Sequence, residues 1–337
     1  MSLVKLKKRK ILIIAEAGAN HNGSLKNAYQ LIDIAKLAGA DYVKFQTFKA
    51  DTLVSKNAPK AKYQKKNVKK ISHYEIIKKL EMSYDMHVKL IKYCKLKKIK
   101  FLSSPFCIES FNLLKKFNLD YIKIPSGEIT NLPFLRYVAK FNNNIILSTG
   151  MSNINEINNA LKILKKKSRK IILLHCNTEY PTPLEDINLN AMIFLKKRFN
   201  VEVGYSDHSS GIQVPIIAAA LGAKVIEKHF TISKKMKGPD HAASLNPNEL
   251  ISMVKSIRNT ETILGKSKKF VSKSEKKNIL IARKSLFAAR DIKKGEKFSL
   301  NNLVCLRPGS GISPMNIDRV CGKKAKKNFS KGNLIKI

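Results

Sequence analysis

Two histidines are the first residues in the chain whose setting suggests chemistry. His208 stands in GYSDHSSG and His229 in VIEKHF; each ends a short apolar run, and each has an acid close by, Asp207 and Glu227. Residues 201–205 and 224–226 read as buried strands, and residues 213–221 read as the helix crossing between them. Parallel strands joined by a crossover bring both C-terminal ends to one rim, so the two imidazoles should emerge together with Ser206 and Asp240 nearby. A lone histidine at a strand end is as readily explained by a backbone hydrogen bond. Two on one rim, with GPDH following at 238–241, point instead to a divalent metal or a substrate.

Polar residues recur wherever another strand should end. In order they are Glu16, Lys44 and Gln46, Ser104, Lys123 with Ser126 and Glu128, Ser148, Thr178 and Tyr180, Ser206 with His208, and Glu227 with His229. Any one of them could be ordinary loop polarity. Their joint composition is more informative, because lysines supply point charges for phosphate or carboxylate and serine hydroxyls supply directed hydrogen bonds. An anionic, oxygen-rich substrate fits this set. Two strand-borne lysines also allow Schiff-base chemistry, which needs an amine of depressed pKa. The histidine pair favours metal activation of a carbonyl over an imine.

These residues need a scaffold that gathers many strand ends. Strand-like runs at 11–15, 41–46, 100–103, 121–125, 144–148, 171–176, 201–205 and 224–229 alternate with helical spacing, such as Leu31, Ile34, Ala35 and Ala38, or Ile157, Ala160, Leu161 and Leu164 behind the capping pair Asn153 and Glu156. Eight such repeats predict a (β/α)₈ (TIM) barrel, with catalytic groups at the C-terminal strand ends. A doubly wound sheet would have fewer strands and a reversal of order. The Lys-rich stretch 50–71 is too long for a plain crossover and should sit over the barrel mouth. The barrel is placed at 1–264, a charged linker or exposed helix at 265–280, and a small domain at 281–337, in which Asp291-Ile-Lys-Lys-Gly295 and Asn328-Phe-Ser-Lys-Gly332 form two similar turns.

Composition narrows the class. The 337 residues carry a formal charge of +41, from 56 lysines and only 9 arginines spread along the whole length. No basic stripe interleaved with aromatics, zinc-finger spacing or helix-turn-helix accompanies that charge, so it does not read as nucleic-acid recognition. It would help gather an anionic substrate. No window of about 18 apolar residues suggests a membrane span. The opening MSLVKLKKRKILIIAEAG reads as a basic leader into a first strand, because its apolar run is short and passes into Glu16. Five dispersed cysteines suit reduced thiols in the cytoplasm.

Taken in order, IIAEAGANHNGS, GADYVKFQTFKAD, FLSSPF, YIKIPSGE, IILSTGM, LLHCNTEYPTP, GYSDHSSG, VIEKHFT, KGPDHAAS, RKSLFAARDIKKGE and LRPGSGISP resemble the bacterial sialic acid synthases, the N-acetylneuraminate synthase family. The match runs over nearly the whole chain. It implies condensation of phosphoenolpyruvate with an N-acylated mannosamine-type sugar, releasing phosphate and giving a nine-carbon 2-keto acid. It further implies a divalent metal, Mn²⁺ or Mg²⁺, and a barrel followed by a small antifreeze-protein-like (SAF) domain, assembled as a domain-swapped homodimer.

Carried over by position, the resemblance makes His208 and His229 the metal ligands. Lys44, Ser104, Lys123, Ser126, Ser148 and Ser206 would hold phosphoenolpyruvate. Gln46, Thr178, Tyr180 and Asp240 would face the sugar, joined by Arg307 of the LRPGSG motif from the partner subunit. Glu16 and Glu227 are the candidates for handling protons, and the sequence does not choose between them. NTEYPTP and TFKADTLVSKNAPKAKYQ favour N-acetylmannosamine, giving N-acetylneuraminate. A 2,4-diacetamido-2,4,6-trideoxy hexose, giving legionaminic or pseudaminic acid, comes second, and a 6-phosphorylated sugar or a Schiff-base aldolase ranks lower.

Overall fold

Period-two alternation within the apolar runs sorts their side chains onto two faces, and that sorting builds the barrel. The computed structural model describes residues 11–59, 72–168 and 170–337. Its eight parallel strands are β1 (Leu12–Gly18), β2 (Tyr42–Thr47), β3 (Lys100–Pro105), β4 (Ile122–Ile124), β5 (Asn144–Ser148), β6 (Lys170–Cys176), β7 (Glu202–Asp207) and β8 (Val225–His229). They lie in the order β3-β2-β1-β8-β7-β6-β5-β4. Because β1 pairs with both β2 and β8, the first and last strands of the series meet. No ladder joins β3 to β4 among the described residues; at their starts Asp120 accepts from the Tyr42 hydroxyl at 2.8 Å and pairs with Lys100 at 2.5 Å. The (β/α)₈ architecture and all eight strands agree with the sequence reading, with small differences at the strand ends.

Helices cover the outer face for reasons visible locally. Leu25–Ala38 starts at Ser24, whose hydroxyl accepts from Asn27 N, and buries Ala28, Leu31, Ile32, Ala35 and Ala38. Ile154–Leu164 opens with a capping box between Asn153 and Glu156 and buries Ile157, Ala160, Leu161 and Leu164. Gln213–Ala220 is the crossover between β7 and β8. These faces pack on outward strand residues such as Val43, Phe45, Val203 and Ile226 in the main core.

The inward face has two layers. Its floor is apolar: Ile14, Tyr42, Leu102, Ile146, Ile172, Leu174 and Val225 form one buried cluster. On six of the strands the next inward position becomes polar or small, giving Glu16, Lys44, Ser104, Ser148, Cys176 and Glu227 two residues beyond Ile14, Tyr42, Leu102, Ile146, Leu174 and Val225. Each fully buried aliphatic of the floor contributes about 1.5–3 kcal/mol. The polar layer therefore rests on a packed apolar floor. Gly204 is needed inside this ring, since a Cβ there would lie 2.3 Å from the Val225 carbonyl oxygen.

Of the stretch 50–71, residues 60–71 lie outside the described residues, as does the basic leader at 1–10. The described part holds a short helix, Ala50–Leu53, followed beyond the gap by His73–Lys79, which starts with a capping box between Ser72 and Glu75. Ile76 and Leu80 pack with Ala19 and Phe48 in a small apolar cluster flanked by Ile77 and Phe106.

The chain divides into two units, Met1–Gly265 and Lys266–Ile337. The stretch read as a linker or exposed helix carries Lys273–Ala282, capped by Ser272 and Glu275, with no buried residue. In the second unit β9 (Ser285–Ala288) pairs antiparallel with β10 (Leu303–Leu306) over a core of residues such as Leu286, Ile292, Phe298, Val320 and Phe329. The two similar turns face each other. Ile292 and Phe329 exchange backbone hydrogen bonds at 2.8 Å, the Asp291 carboxylate accepts from Lys331 N at 2.8 Å, and the Asn328 amide oxygen accepts from Lys294 N at 2.7 Å. The likeness of the two turns in sequence thus becomes reciprocal capping.

Candidate active site

The polar layer opens into a cavity of about 260 Å³ at the C-terminal ends of the strands. It is lined by Glu16, Lys44, Gln46, Ser104, Lys123, Ser126, Ser148, Thr178, Tyr180, Ser206, His208, Glu227, His229 and Asp240, so fourteen of the fifteen residues assigned a site role from the sequence come together, whereas Glu128, named among the strand ends, does not line it. The remaining one, Arg307, is exposed in the second unit, just past the end of β10.

Register explains the closest contacts. Glu16 lies opposite Lys44 on one side and His229 on the other, and Ser206 lies opposite Glu227. Lys44 Nζ is 2.5 Å from Glu16 Oε2 and 3.6 Å from Glu227 Oε2, while Lys123 Nζ is 3.3 Å from Glu227 Oε1. Lys44 also donates to the Ser104 hydroxyl at 3.0 Å, and the Ser206 hydroxyl donates to Glu227 at 3.0 Å. Gln46 reaches Glu16 at 3.4 Å. Ser126 accepts from Gly150 N at 3.0 Å, and the Ser148 hydroxyl is buried without a hydrogen-bond partner among the described residues. Gly18 ends β1 at a φ of 50°, and a Cβ there would lie 3.1 Å from both Glu16 Oε1 and His229 Cε1. A side chain at that position would push the carboxylate and imidazole apart.

Burial and charge separate the two glutamates. Desolvation pushes Glu16 up to about 7, against the pull of Lys44. The same desolvation acts on Glu227, but Lys123 and Lys44 outweigh it and hold that carboxyl at about 2. Lys44 is also desolvated, yet Glu16 and Glu227 raise its pKa overall; Lys123 is lowered, chiefly by burial. The two carboxyls are thus pushed in opposite directions, Glu16 towards its protonated form and Glu227 towards its ionised one. Two titratable groups pushed apart in this way mark an acid/base assignment. Asp240, partly buried at the mouth, is raised by desolvation to about 6.

The histidines suit a metal. His208 Nδ1–H donates to the Asn177 carbonyl, which leaves Nε2 as the lone-pair nitrogen; the Tyr180 hydroxyl lies 3.1 Å from it, and the two rings stack at 4.1 Å. The His208 and His229 ring centres are 5.5 Å apart. His229 Nδ1 is buried with no hydrogen-bond partner among the described residues, a state that a ligand would relieve. Desolvation holds His208 down at about 4 and His229 well below its ordinary value, so both are neutral as ligation requires. The described residues contain no group of three or more His, Cys, Asp or Glu suited to a cation. A metal held by this pair would therefore keep positions open for substrate oxygens or water.

Sequence reasoning missed one wall of the cavity. Phe48, Phe106, Ile76, Ile77 and Leu80 line it, beside Met151 and Pro239. Phe48 and Phe106 each follow a polar strand end by two residues, which was the available signal. The HYEIIKKL segment carries none, because only its placement over the mouth brings its apolar face to the site. The wall stands beyond β2 and β3, across the ring from β6 and β7 with Tyr180 and His208.

Comparison with known proteins adds the relationship. The NeuB family model matches residues 31–269, and the SAF domain model matches residues 283–337. An N,N'-diacetyllegionaminic acid synthase of Campylobacter jejuni is 52% identical over 332 residues, covering 97% of this chain and 99% of the relative. A pseudaminic acid synthase of the same species is 40% identical over 331 residues, covering 97% and 96%. Among solved structures, the N-acetylneuraminic acid (sialic acid) synthetase of Leptospira borgpetersenii, in complex with citrate, superimposes with a TM-score of 0.73 at 34% identity, covering 83% of this chain and 94% of that one.

Proposed function

The chain belongs to the NeuB family, and on that premise we propose that it condenses phosphoenolpyruvate with a 2,4-diacetamido-2,4,6-trideoxy hexose to give an N,N'-diacetyllegionaminic-type acid and phosphate. The observation that carries this reading is the end-to-end 52% identity to a synthase of that acid, against 40% to a pseudaminic acid synthase. It reverses the order of the two sugars drawn from the motifs, which had placed N-acetylmannosamine first. The apolar wall of Phe48, Phe106, Ile76 and Leu80 agrees, since a deoxy sugar offers a methyl where N-acetylmannosamine offers a hydroxymethyl group.

In the proposed mechanism Lys44 and Lys123 neutralise the carboxylate and phosphate of phosphoenolpyruvate, and Ser104, Ser126, Ser148 and Ser206 orient its oxygens. The sugar is held by Gln46, Thr178, Tyr180 and Asp240, with its aldehyde towards the histidines. A divalent cation, Mn²⁺ or Mg²⁺, held by His208 and His229 would withdraw charge from the aldehyde oxygen. The enol carbon forms the new C–C bond with the aldehyde carbon, leaving an oxocarbenium centre at the phosphate-bearing carbon. Water adds there, and the tetrahedral product expels phosphate by C–O cleavage. The proton lost by water equals the one gained by the former aldehyde oxygen. Glu16, the carboxyl that desolvation pushes up, is the group assigned to that relay, and Glu227, held down by Lys123 and Lys44, is assigned to pair with those two lysines.

The proposal includes a domain-swapped homodimer in which Arg307 of the partner subunit contacts the sugar. The direct test of function is phosphate release from phosphoenolpyruvate and Mn²⁺ with the two sugars side by side. Release that strongly favours the diacetamido sugar is expected. Preference for N-acetylmannosamine would make the chain a neuraminate synthase, and release with neither would remove the condensation reading.

A further inference from the structure

The residues beside the two histidines point away from the cavity and into the layer between barrel and helices. On that face of β7 and β8, Val203, Tyr205 and Ile226 belong to the apolar core. Asp207 and Lys228 occupy the same layer as a charged pair: they are direct partners in the β7–β8 ladder, with Nζ 2.5 Å from Oδ2 and side chains 0% and 1% exposed. Lys228 also donates to the Ser209 carbonyl, and the other Asp207 oxygen accepts from Ser209 N at 2.9 Å. Both backbone polar groups of the residue after His208 are therefore held by residues flanking the two histidines. The His208 carbonyl in turn accepts from Thr182 N at 3.0 Å, on the segment that carries Tyr180.

Stability does not account for this pair. Moving two charges into an apolar layer costs several kcal/mol per ion, and hydrophobic residues of similar size usually fill such a place as well or better. Its position does give it a use. We propose that Asp207 and Lys228 are positioning residues, which lock the ends of β7 and β8 so that the His208 and His229 imidazoles face one divalent cation together. The inference rests on the two-histidine metal reading.

The test uses the full-length protein, with Mn²⁺ binding followed by the electron spin resonance of the free ion and folding followed by urea unfolding. The double variant Asp207→Leu/Lys228→Met leaves no orphaned charge. It leaves the Ser209 N–H and C=O without these side-chain partners, which offsets the relief of the buried charges, so the variant is expected to fold with at most a modest loss of stability and to bind Mn²⁺ at least tenfold more weakly. Lys228→Arg keeps the charge but alters the length of the bridge, and is expected to fold while binding Mn²⁺ more weakly than wild type. Folded variants whose Mn²⁺ affinity stays within twofold of wild type overturn the proposal. A wild-type protein that binds Mn²⁺ no better than His208→Ala removes the metal reading itself, and the positioning role with it.

Discussion

Each candidate residue acts through a feature that a conservative replacement can isolate. Glu16→Gln keeps the shape of the side chain but cannot exchange a proton. Loss of a general acid–base group typically costs about 10²–10⁴-fold, so kcat should fall by that order while the KM for phosphoenolpyruvate moves little. An unchanged kcat would transfer the proton relay elsewhere. His208→Ala removes one imidazole of the pair and should abolish metal-dependent turnover; full activity of this variant in the presence of a chelator would sink the metal assignment. His21 carries a third, separable effect. It is buried, its Nδ1 accepts from Gly23 N, and desolvation holds it at about 4 in the folded chain, against an ordinary value of 6.5. Between those values the unfolded state binds the extra proton. The stabilisation by neutral His21 is thus complete above about pH 6.5 and is lost as pH falls towards 4, to a total of about 3 kcal/mol. In urea unfolding, His21→Asn should lose less stability than wild type over that interval; parallel pH profiles would refute the assignment.

At the scale of elements, the barrel separates support from chemistry along each strand. Leu102 lies in the apolar floor and Ser104 in the polar layer, two residues apart on β3. Leu102→Ala should destabilise the fold by about 2–5 kcal/mol through lost burial and the cavity left behind. Urea titration with phosphoenolpyruvate present and absent would separate the two roles, since the stabilisation by bound substrate should persist in the variant. Complete loss of that stabilisation would mean that floor and polar layer are not independent. The same division explains how His73–Lys79 reaches the site: its capping box starts the helix locally, and packing on Phe48 and Ala19 holds its apolar face against the cavity.

For the whole molecule, the proposed assembly gives the second unit a direct part in sugar binding. It carries Arg307 after β10, and the proposed assembly places that side chain in the barrel of the other subunit. Removing a charged hydrogen-bond partner costs about 2–5 kcal/mol, so Arg307→Ala should raise the sugar KM by roughly 30-fold or more with less effect on kcat. Subunit exchange gives the stricter check. In a mixed dimer of His208→Ala and Arg307→Ala chains, one site would regain both an intact barrel and an intact arginine. At sugar concentrations well below the raised KM, where Arg307→Ala alone turns over slowly and His208→Ala not at all, co-expression should therefore restore activity, and no gain over Arg307→Ala alone would count against the swapped arrangement.

What the sequence determined by itself was whatever repeats over a few residues. The alternation that ends in Glu16, Lys44, Ser148 or Glu227 placed eight strands and named nearly every polar residue of the cavity. Asn153 and Glu156 marked a helix start, and the two Gly-ending turns of the small domain were recognisable as a pair. What the tertiary structure decided involves partners far apart in the chain. Ring closure sets β1 beside β8, and only then do Glu16 and Glu227 share Lys44 and acquire opposite pKa shifts, because desolvation and neighbouring charge depend on the folded surroundings. The apolar wall and the buried Asp207–Lys228 pair were unreadable for the same reason. An isoleucine in HYEIIKKL or a lysine before His229 has no special pattern along the chain, and its meaning comes from what packs against it.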